Sequence, residues 1–439
     1  MMLLYQLFSA IAILALTPYY AFRGWRRGEP LQTLHERLGR VPDEIAKGCA
    51  GGGAIWIHAV SVGEVLAAQP VVAGLNARYP RRGIFVSTTT ETGQRLARER
   101  LKAASGVFYF PLDSSGAVRR ALRAIRPSIV IIMETEIWPN FLRISHEEAV
   151  PVVFANARIS KRSFARYSRW KFLLEDFFAE ALRYAVMFLA QTKEDAGRLI
   201  AMGALEERVV VTGNLKYDAE PPALGEFGLW LAEQIKRQER WPAVVAGSVV
   251  SGEEEAVLAG YDAVQRQWRR ALMILAPRKP DRFDEAARLA AEAGWNVTRR
   301  SRLDLARPLD ESTDVLVLDS IGELAAIYSL ADAAFVGGSL VISGGHNILE
   351  PAWFGKPPVF GTSMENFSEM AEQFRSANAG VQVNSGPMLG TVWVQLIEGD
   401  ALRERMGQAA RELSSRNAGA AERTLARIEE ILDVREGGA

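Results

Sequence analysis

Short, continuously apolar runs alternate with amphipathic stretches over most of the chain. The run AIWIHAV (54–60) precedes a helical pattern over 65–79, and GIFVSTT (83–89) precedes one over 93–103. The series continues with VFYFPL, IVIIM, VPVVFA, MFLAQ and RVVVTG. Apolar strands separated by helices are typical of a parallel sheet that is covered on both faces. The pattern therefore predicts an α/β fold.

The alternation breaks at YDAEPPALG (217–225), where paired prolines and a glycine are typical of a linker. It then restarts with AVVAG, ALMILAP, DVLVL, AAFVGG and PPVFG, and a charged helical pattern closes the chain over 401–434. We therefore expect two Rossmann-like domains that face a cleft. The first would cover 23–220, and the second would cover 221–439 and include the helical tail.

The first 22 residues form a different kind of segment, because they are mostly apolar and carry no charge. As a helix they would span about 33 Å, enough to cross the hydrocarbon core of a membrane. Arg23, Arg26 and Arg27 follow directly. The positive-inside rule then predicts a single-pass anchor over 1–22, with the rest of the chain in the cytoplasm. A cleaved signal peptide is the alternative, but it would need a positively charged N-terminal region, which is missing here.

Composition limits the partners and cofactors. Lys+Arg and Asp+Glu both total 52, so nothing global favours nucleic acid as a partner. Cys49 is the single cysteine, which excludes an internal disulfide. The whole chain contains only four histidines in addition to this cysteine, so a zinc site is not expected.

The stretch GGSLVISGGHNILEP (337–351) follows an apolar strand and opens a helical pattern. Gly344 and Gly345 allow close approach to the backbone, Asn347 is a good N-cap, and Glu350 stands at the capping-box position. Glycines beside a helix start predict a phosphate or nucleotide site. A capped turn with no ligand is the alternative. Glu350 could also accept hydrogen bonds from ribose hydroxyls.

Acidic residues end two of the predicted strands. Glu64 is the last residue of the run HAVSVGE (58–64) and lies at the carboxyl end of a strand, where open α/β sheets place ligands. Alternatively, it could simply be a first-turn glutamate that the helix dipole favours. His58, within that strand, is expected to be packed. Glu134 and Glu136 follow IVIIM, and strand alternation would put both on one face and raise one pKa. Alternatively, one of the two could cap the next helix or pair with an arginine, or the two could form a glycosidase-type carboxylate pair.

Basic residues supply the remaining candidates. Lys216, Arg278 and Lys279 end strands, where cations can hold a departing phosphate or an acidic sugar. The stretch 158–171 interleaves aromatic side chains with cations and holds no acid. This pattern favours an anionic membrane surface or a phosphorylated lipid, and a helix packed through its aromatics is the alternative. Its candidate membrane and acceptor residues are Arg158, Lys161, Arg162, Arg166 and Arg169.

Several of these blocks together resemble the transferases of Kdo (3-deoxy-D-manno-octulosonic acid) in lipopolysaccharide synthesis. The similar blocks are HAVSVGE, TTTETG, METEIWPN, NARIS, GNLKYD, APRKPDRF, GELAAIYSLADAAFVGGSL and GGHNILEP. The resemblance implies a glycosyltransferase fold of the B type. It also implies an inverting transfer of Kdo from CMP-Kdo to lipid A precursor (lipid IVA), without a metal or other cofactor, at the inner face of the inner membrane.

The resemblance also implies residue roles. Glu64 would be the general base, and Glu134 and Lys216 would support the transition state. The residues that match the CMP and donor site are Arg278, Lys279, Ile321, Gly322, Glu323, Gly344, Gly345, His346, Asn347, Ile348, Leu349 and Glu350. The family often has histidine where Lys279 stands, and a lysine keeps a hydrogen-bond donor there and adds a fixed charge. A nucleotide-sugar epimerase of similar architecture and a non-catalytic lipid-binding membrane protein are the rival functions.

Overall fold

The computed structural model describes residues 5–6, 31–49, 51–218 and 221–436, and these fall into two compact units. The N-terminal unit contains the described residues up to 218 together with 417–436, and the C-terminal unit contains 221–416. Each unit has a seven-stranded sheet. The strand pairs at the centre of both sheets are parallel, which confirms the prediction of two parallel-sheet α/β domains.

The sheet of the N-terminal unit has the strand order β3-β2-β1-β4-β5-β6-β7. Its strands are β1 (Ala54–His58), β2 (Ile84–Thr88), β3 (Gly106–Tyr109), β4 (Pro127–Met133), β5 (Val152–Ala157), β6 (Met187–Ala190) and β7 (Val209–Val211). Its helices up to the linker are α1 (Leu31–Arg37), α2 (Asp43–Gly48), α3 (Val62–Arg78), α4 (Glu91–Arg100), α5 (Ser115–Ile125), α6 (Pro139–Glu147), α7 (Lys161–Arg169), α8 (Lys171–Arg183) and α9 (Lys193–Ala201).

The sheet of the C-terminal unit has the order β10-β11-β9-β8-β12-β13-β14. Its strands are β8 (Ala243–Val249), β9 (Leu272–Pro277), β10 (Val297–Arg299), β11 (Val315–Val317), β12 (Ala333–Val336), β13 (Pro358–Phe360) and β14 (Val381–Gln382). Its helices are α10 (Glu226–Arg237), α11 (Glu254–Gln267), α12 (Phe283–Glu292), α13 (Leu324–Ile327), α14 (Leu349–Ala352), α15 (Ser368–Ser376), α16 (Gly386–Glu398) and α17 (Asp400–Arg416).

The central strands are buried on both faces, which explains why they read as continuous apolar runs. All five residues of β1 are buried, and alternate ones belong to different apolar clusters: Trp56 lies in one, and Ile55 and Ile57 lie in the other. Helices therefore have to cover both faces of the sheet. Several of them begin at a hydroxyl N-cap, such as Ser61 before α3 and Thr90 before α4, and these two helices start at Val62 and Glu91, before the predicted starts at 65 and 93.

The strand orders place one switch point in each sheet. In the N-terminal unit, β1 pairs with β2 on one side and with β4 on the other. In the C-terminal unit, β8 lies between β9 and β12. Chain connections run to opposite sides of the sheet at such a point, so the loops after the two strands diverge and leave room for a ligand. The candidate acids Glu64 and Glu134 follow β1 and β4, and the glycine-rich stretch follows β12.

The helical tail differs from the prediction. It forms two helices, α17 and α18 (Ala420–Glu436), which are separated where Gly419 takes a φ of +87°. The assignment of the whole tail to the C-terminal domain is wrong, because 417–436 belongs to the N-terminal unit. Leu425, Ile428 and Leu432 join an apolar cluster of that unit, and the Asp218 carboxylate accepts from the Ala421 N–H at 2.6 Å.

The predicted anchor over 1–22 lies outside the described residues, except for Tyr5 and Gln6. The Tyr5 hydroxyl donates to Asp113 Oδ2 at 2.8 Å, and its ring centroid is 5.4 Å from that of Phe177. Within the part of the chain that the structure describes, no helix is both long enough and apolar enough to cross a membrane.

Helix α18 should stabilise the N-terminal unit through its apolar face. We expect Leu425→Ala, at a side chain that is 3% exposed, to lower the free energy of unfolding of this unit by about 2–5 kcal/mol. Urea unfolding, followed by hydrogen exchange at the amides of β1, measures this change. The control is Val434→Ala on the same helix, because Val434 is 77% exposed. Equal effects of the two substitutions would contradict the packing described here.

Candidate active site

Glu64 lies in the first turn of α3, directly after β1, and its carboxylate is tied to the loop before it. The Val60 N–H donates to Oε2 at 2.8 Å and the Ser61 hydroxyl donates to Oε1 at 2.9 Å. Ser61 is also the N-cap of α3 and accepts from the Glu64 N–H at 3.4 Å. These reciprocal bonds resemble a capping box. The side chain is therefore held in one position at the switch point.

The carboxyl of Glu64 is also poorly solvated, since the residue is only 7% exposed. The pKa of Glu64 is raised to about 7, first by burial and then by the negative charges of Glu134 and Glu136, while the hydrogen bonds from Val60 and Ser61 act in the opposite direction. A carboxyl group with such a pKa can accept a proton near neutral pH far better than an exposed glutamate can.

Glu134 forms the second part of this cluster, in the turn that follows β4. Its φ is +55°, a left-handed conformation that is strained for a residue with a Cβ. Lys216 Nζ lies 3.2 Å from Glu134 Oε1, and both side chains are largely shielded from solvent. The structure thus brings together Glu64, Glu134 and Lys216, three residues that are far apart in the sequence.

Glu136 has a raised pKa, caused first by burial and then by Glu134, as the sequence predicted for one member of the pair. The geometric reason given for that prediction is wrong. β4 ends at Met133, so Glu134 and Glu136 lie in a turn and do not share a strand face. The tight turn brings the two carboxylates together instead.

Asn156 supports this cluster and was not assigned a role from the sequence. It is fully buried at the end of β5 with a φ of +56°, and its Oδ1 accepts from the Leu215 N–H at 2.9 Å. This bond fixes the turn that carries Lys216. An asparagine at a strand end was the available signal, because Asn tolerates the left-handed conformation better than most residues.

His58 is packed, as expected. It is fully buried, its ring stacks on Phe110 with centroids 3.8 Å apart, and burial lowers its pKa to about 3. A neutral, enclosed imidazole of this kind is part of the core and does not exchange protons with a ligand.

The glycine-rich loop of the C-terminal unit differs from its prediction at the helix start. α14 has only four residues, and its N-cap is Ile348 instead of Asn347. Asn347 Oδ1 accepts from the Leu349 N–H at 3.2 Å, as in an Asx turn, and no capping box with Glu350 forms. A single helical turn has a weak dipole, so the predicted attraction of a phosphate needs another source of positive charge.

Arg278 supplies positive charge beside this loop. It is exposed at the end of β9, and its charge lowers the pKa of both Glu350 and His346, which places it close to both side chains. Burial outweighs that effect at Glu350 and raises its pKa to about 7. Glu350 is therefore a desolvated acceptor beside an exposed cation, a combination that suits ribose hydroxyls next to a phosphate.

The main-chain N–H groups of the loop divide into two sets. Those of Ser343 and Gly344 donate to Ser363 Oγ at 3.1 and 3.0 Å, and the Gly345 N–H donates to the Gly338 carbonyl at 2.7 Å. Within the described residues, those of His346, Asn347 and Ile348 have no protein acceptor. The amides available to a ligand are therefore those of 346–348, and Gly344 and Gly345 shape the turn.

The other predicted donor residues contribute in different ways. Ile348 and Leu349 are fully buried, so only their main chain can face a ligand. Lys279 is exposed beside Arg278. Ile321 is 59% exposed, and Gly322 has a φ of +92°. Glu323 is held by Arg300, with both N–O distances at 3.2 Å.

Glu253 was not identified as a candidate from the sequence. It is fully buried in the C-terminal unit. Its carboxylate accepts four main-chain N–H groups at 2.7 to 3.0 Å, from Val250, Gly338, Ser339 and Leu340. The only local signal is its position after β8, which matches that of Glu64 after β1. Its partners are more than eighty residues away for three of these bonds, so no sequence motif joins them.

The predicted basic helix is α7, and its cations face solvent. Lys161, Arg162, Arg166 and Arg169 are exposed, and the neighbouring Trp170 is 48% exposed. Tyr167 is buried and Phe164 packs against the core, so the helix is attached through these two rings. Arg158 lies before the helix, and its N–H donates to Thr135 Oγ1 at 3.2 Å. The cationic face and the aromatic attachment therefore coexist.

Among the described residues, no group of three or more His, Cys, Asp or Glu side chains is arranged so that it could hold a metal ion.

Solved structures show the same two-domain fold. The MnaA–UDP co-structure from S. aureus aligns with a TM-score of 0.59 at 16% identity, over 87% of this chain and 97% of that one. A putative UDP-N-acetylglucosamine 2-epimerase from Listeria monocytogenes aligns with a TM-score of 0.61 at 14% identity, over the same shares. At such identities the likeness shows the fold alone, which is similar to the B type of glycosyltransferases.

The sequence relatives define the class of this protein, which is that of the glycosyltransferases. A family model described as 3-deoxy-D-manno-octulosonic-acid transferase (kdotransferase) matches residues 32–219. The 3-deoxy-D-manno-octulosonic acid transferase of Haemophilus influenzae is 35% identical over 92% of both chains. That of Bordetella pertussis is 35% identical over 86% of this chain and 87% of its own. The chain belongs to the Kdo transferase family of glycosyltransferases.

The raised pKa of Glu64 should depend on the charge of Glu134. We expect Glu134→Gln to lower the pKa of Glu64 from about 7 towards the ordinary value, because it removes a nearby negative charge. The measurement is a pH titration of the Glu64 carboxyl carbon by NMR without ligand.

Since the folded-state pKa of Glu64 lies above the ordinary 4.5, the protonated form favours folding, and this contribution to stability is lost as the pH rises through 7.

Glu91→Gln is the control for this titration, because Glu91 also lies in the first turn of a helix but is exposed. It should leave the pKa of Glu64 unchanged. If Glu134→Gln leaves it unchanged as well, the charge of Glu134 does not raise the pKa of Glu64.

Proposed function

We propose that this chain transfers Kdo from CMP-Kdo to a hydroxyl group of lipid A precursor, with inversion at the ketosidic carbon and without a metal. Membership of the Kdo transferase family supports the transferred sugar, and the named relatives carry the same activity in their names. The observation that carries the proposal is Glu64, a buried carboxyl with a pKa of about 7 at a switch point, beside an acid–lysine pair.

Glu64 acts as the general base in this proposal. One carboxylate oxygen takes the proton from the acceptor hydroxyl as that oxygen attacks the ketosidic carbon of Kdo. The bond from this carbon to the phosphate oxygen breaks, its electron pair leaves with CMP, and the proton stays on Glu64. Attack from the face opposite the leaving group gives inversion with a single base.

Glu134 and Lys216 stabilise charge during this step. Positive charge develops on the sugar in an oxocarbenium-like transition state, and the donor also carries its own carboxylate. The Glu134 carboxylate can offset the first charge and the Lys216 ammonium the second, since the two groups lie 3.2 Å apart. Because the pair is preformed, little reorganisation is needed when the charges appear.

CMP binds the C-terminal unit in this proposal. Glu350 accepts from the ribose hydroxyls, and Arg278 supports the phosphate together with the main-chain N–H groups of His346 and Asn347. CMP is already a good leaving group, so electrostatic support is enough and no general acid is needed. Lys279 adds a second, exposed charge beside Arg278.

The acceptor reaches the enzyme at a membrane, which we propose to be the cytoplasmic face of the inner membrane. The exposed cations of α7 and the half-exposed Trp170 form a surface suited to anionic headgroups. Phe172, which is 78% exposed, extends its apolar part. The uncharged segment 1–22 would add a permanent anchor.

Mass spectrometry of lipid A precursor after incubation with the purified protein and CMP-Kdo tests the whole proposal. A lipid that gains Kdo is the expected product. Isomerisation of a sugar nucleotide with no change in the mass of the lipid would favour an epimerase. Lipid binding with no turnover of either substrate would favour a non-catalytic protein.

The base assignment predicts a specific loss in Glu64→Gln. The amide keeps a carbonyl acceptor for the Val60 N–H, so the start of α3 should remain intact. Because the amide cannot take up the proton, kcat should fall by about 10² to 10⁴-fold. Steady-state kinetics with CMP-Kdo and lipid A precursor measures the fall, and calorimetry with CMP should give an unchanged affinity.

Glu350→Gln provides the complementary variant, because it should weaken CMP binding and leave the affinity for the lipid acceptor unchanged. Near-normal turnover of Glu64→Gln would refute the base assignment. Equal loss of CMP and acceptor binding in Glu350→Gln would indicate misfolding.

The membrane surface predicts that Arg162, Arg166 and Arg169 contribute to binding of anionic vesicles. Replacing all three by Ser should weaken the partition constant by about a hundredfold, at about 1 kcal/mol for each charge near the surface. Sedimentation with vesicles that contain phosphatidylglycerol measures it, and high salt should reduce the difference. The matched control replaces Arg266, Arg405 and Arg416, exposed arginines of the C-terminal unit, and an equal loss there would show only a general effect of net charge.

A further inference from the structure

The glycine-rich loop contains a set of amides that already holds an anion, and this anion is a side chain of the protein. The N–H groups of Gly338, Ser339 and Leu340 converge on the Glu253 carboxylate at 2.7, 2.8 and 2.7 Å. Consecutive N–H groups that point to one place are the usual way in which a backbone binds an anion. Here the internal carboxylate occupies the place of a ligand.

The carboxylate is used on both of its oxygens. Oε1 accepts from Ser339 and Leu340, and Oε2 accepts from Gly338 and from Val250, the latter at 3.0 Å. Glu253 therefore joins the loop after β8 to the loop after β12, on the two sides of the switch point. A neutral side chain of the same size could satisfy only one of these two pairs of donors.

The loop fixed in this way carries the residues of the proposed donor site. The Gly337 carbonyl accepts from His346 Nδ1 at 2.8 Å, and the Gly338 carbonyl accepts from the Gly345 N–H at 2.7 Å. A Cβ on Gly338 would lie 2.3 Å from His346 Nδ1, so the two segments are in close contact. A shift of 337–340 would therefore move the segment from Gly345 onward.

We propose that Glu253 is a positioning residue of the donor site, which occupies the amides of Gly338 to Leu340 and so holds the segment from Gly345 to Glu350 in its binding position. The inference rests on the proposed function for the identity of the donor. Glu253 does not touch the nucleotide. The phosphate of CMP-Kdo does not bind the amides of 338–340, because the carboxylate already holds them.

Amide hydrogen exchange at residue resolution tests this on the unmodified, full-length protein. The amides of 338–340 should be strongly protected before CMP is added and should not change with it, whereas those of 346–348 should gain protection. A gain of protection at 338–340 on addition of CMP would overturn the proposal. If CMP changed the protection of neither set of amides, the proposed donor would be wrong. The protection of 338–340 in the free protein would still test the role of Glu253, because it does not depend on CMP.

The variant Glu253→Gln tests the link to binding. In this variant an NH2 group replaces one carboxylate oxygen and faces two main-chain N–H groups that have lost their acceptor. Exchange at 338–340 should therefore accelerate, and the KM for CMP-Kdo should rise by about tenfold or more. The value of kcat at saturating donor should stay within about threefold, because Glu253 has no part in the chemical step. The control is Glu255→Gln, an equal change of charge at an exposed residue in the first turn of α11, two residues further along the chain.

Glu253→Ala gives a readout that packing alone would not produce. Formate should restore part of the lost affinity for CMP, because it can place a carboxylate against the vacated amides, and chloride at the same ionic strength should not. Glu253→Asp keeps the charge on a shorter side chain, and its KM should lie between those of the wild type and Glu253→Gln. A wild-type KM and wild-type exchange at 338–340 in Glu253→Gln would refute the role of Glu253.

Discussion

Main-chain N–H groups at the carboxyl ends of parallel strands must find acceptors, and a glutamate meets this requirement at both switch points. Glu64 follows β1 and accepts from Val60, and Glu253 follows β8 and accepts from four N–H groups. The two carboxylates differ in their surroundings. Glu253 is saturated by donors, whereas Glu64 lies beside two other acids, and this difference separates a structural anion from a proton acceptor.

The cluster around Glu64 is costly for folding. Three carboxylates lie together with one lysine, burial opposes the charged form of Glu64 and Glu136, and Glu134 adopts a left-handed φ. A strained residue of this kind costs about 1–3 kcal/mol, and such costs are concentrated at functional sites. Hydrogen bonds from neighbouring loops hold the arrangement, including that from Leu215 to Asn156 beside Lys216. Stability lost at the site is thus offset by the scaffold around it.

In the C-terminal unit, the glycine-rich loop leaves a few main-chain N–H groups free while its other N–H groups have acceptors. Ser363 accepts from the amides of Ser343 and Gly344, and Glu253 accepts from those of 338–340. Among the described residues, the amides of 346–348 have no protein acceptor. The one-turn helix α14 contributes little dipole, so the exposed charge of Arg278 becomes more important than the helix start. An apparent helix-start site is in fact a loop shaped by side chains from elsewhere in the unit.

The sequence by itself determined the elements and their class, because strand and helix periods are local properties of the chain. Apolar runs marked all seven strands of the first sheet and the five inner strands of the second, whereas the short edge strands β10 and β14 were not predicted. Prolines marked the linker, and the acids and cations at strand ends identified Glu64, Glu134, Lys216 and Arg278 as candidates. Only the tertiary structure decided which amides are free, where the last helix packs, and how Glu134 and Lys216 meet. These features depend on partners far apart in the sequence: Glu253 lies 85 residues from Gly338 and Asp218 lies 203 residues from Ala421, distances over which no periodic pattern carries information.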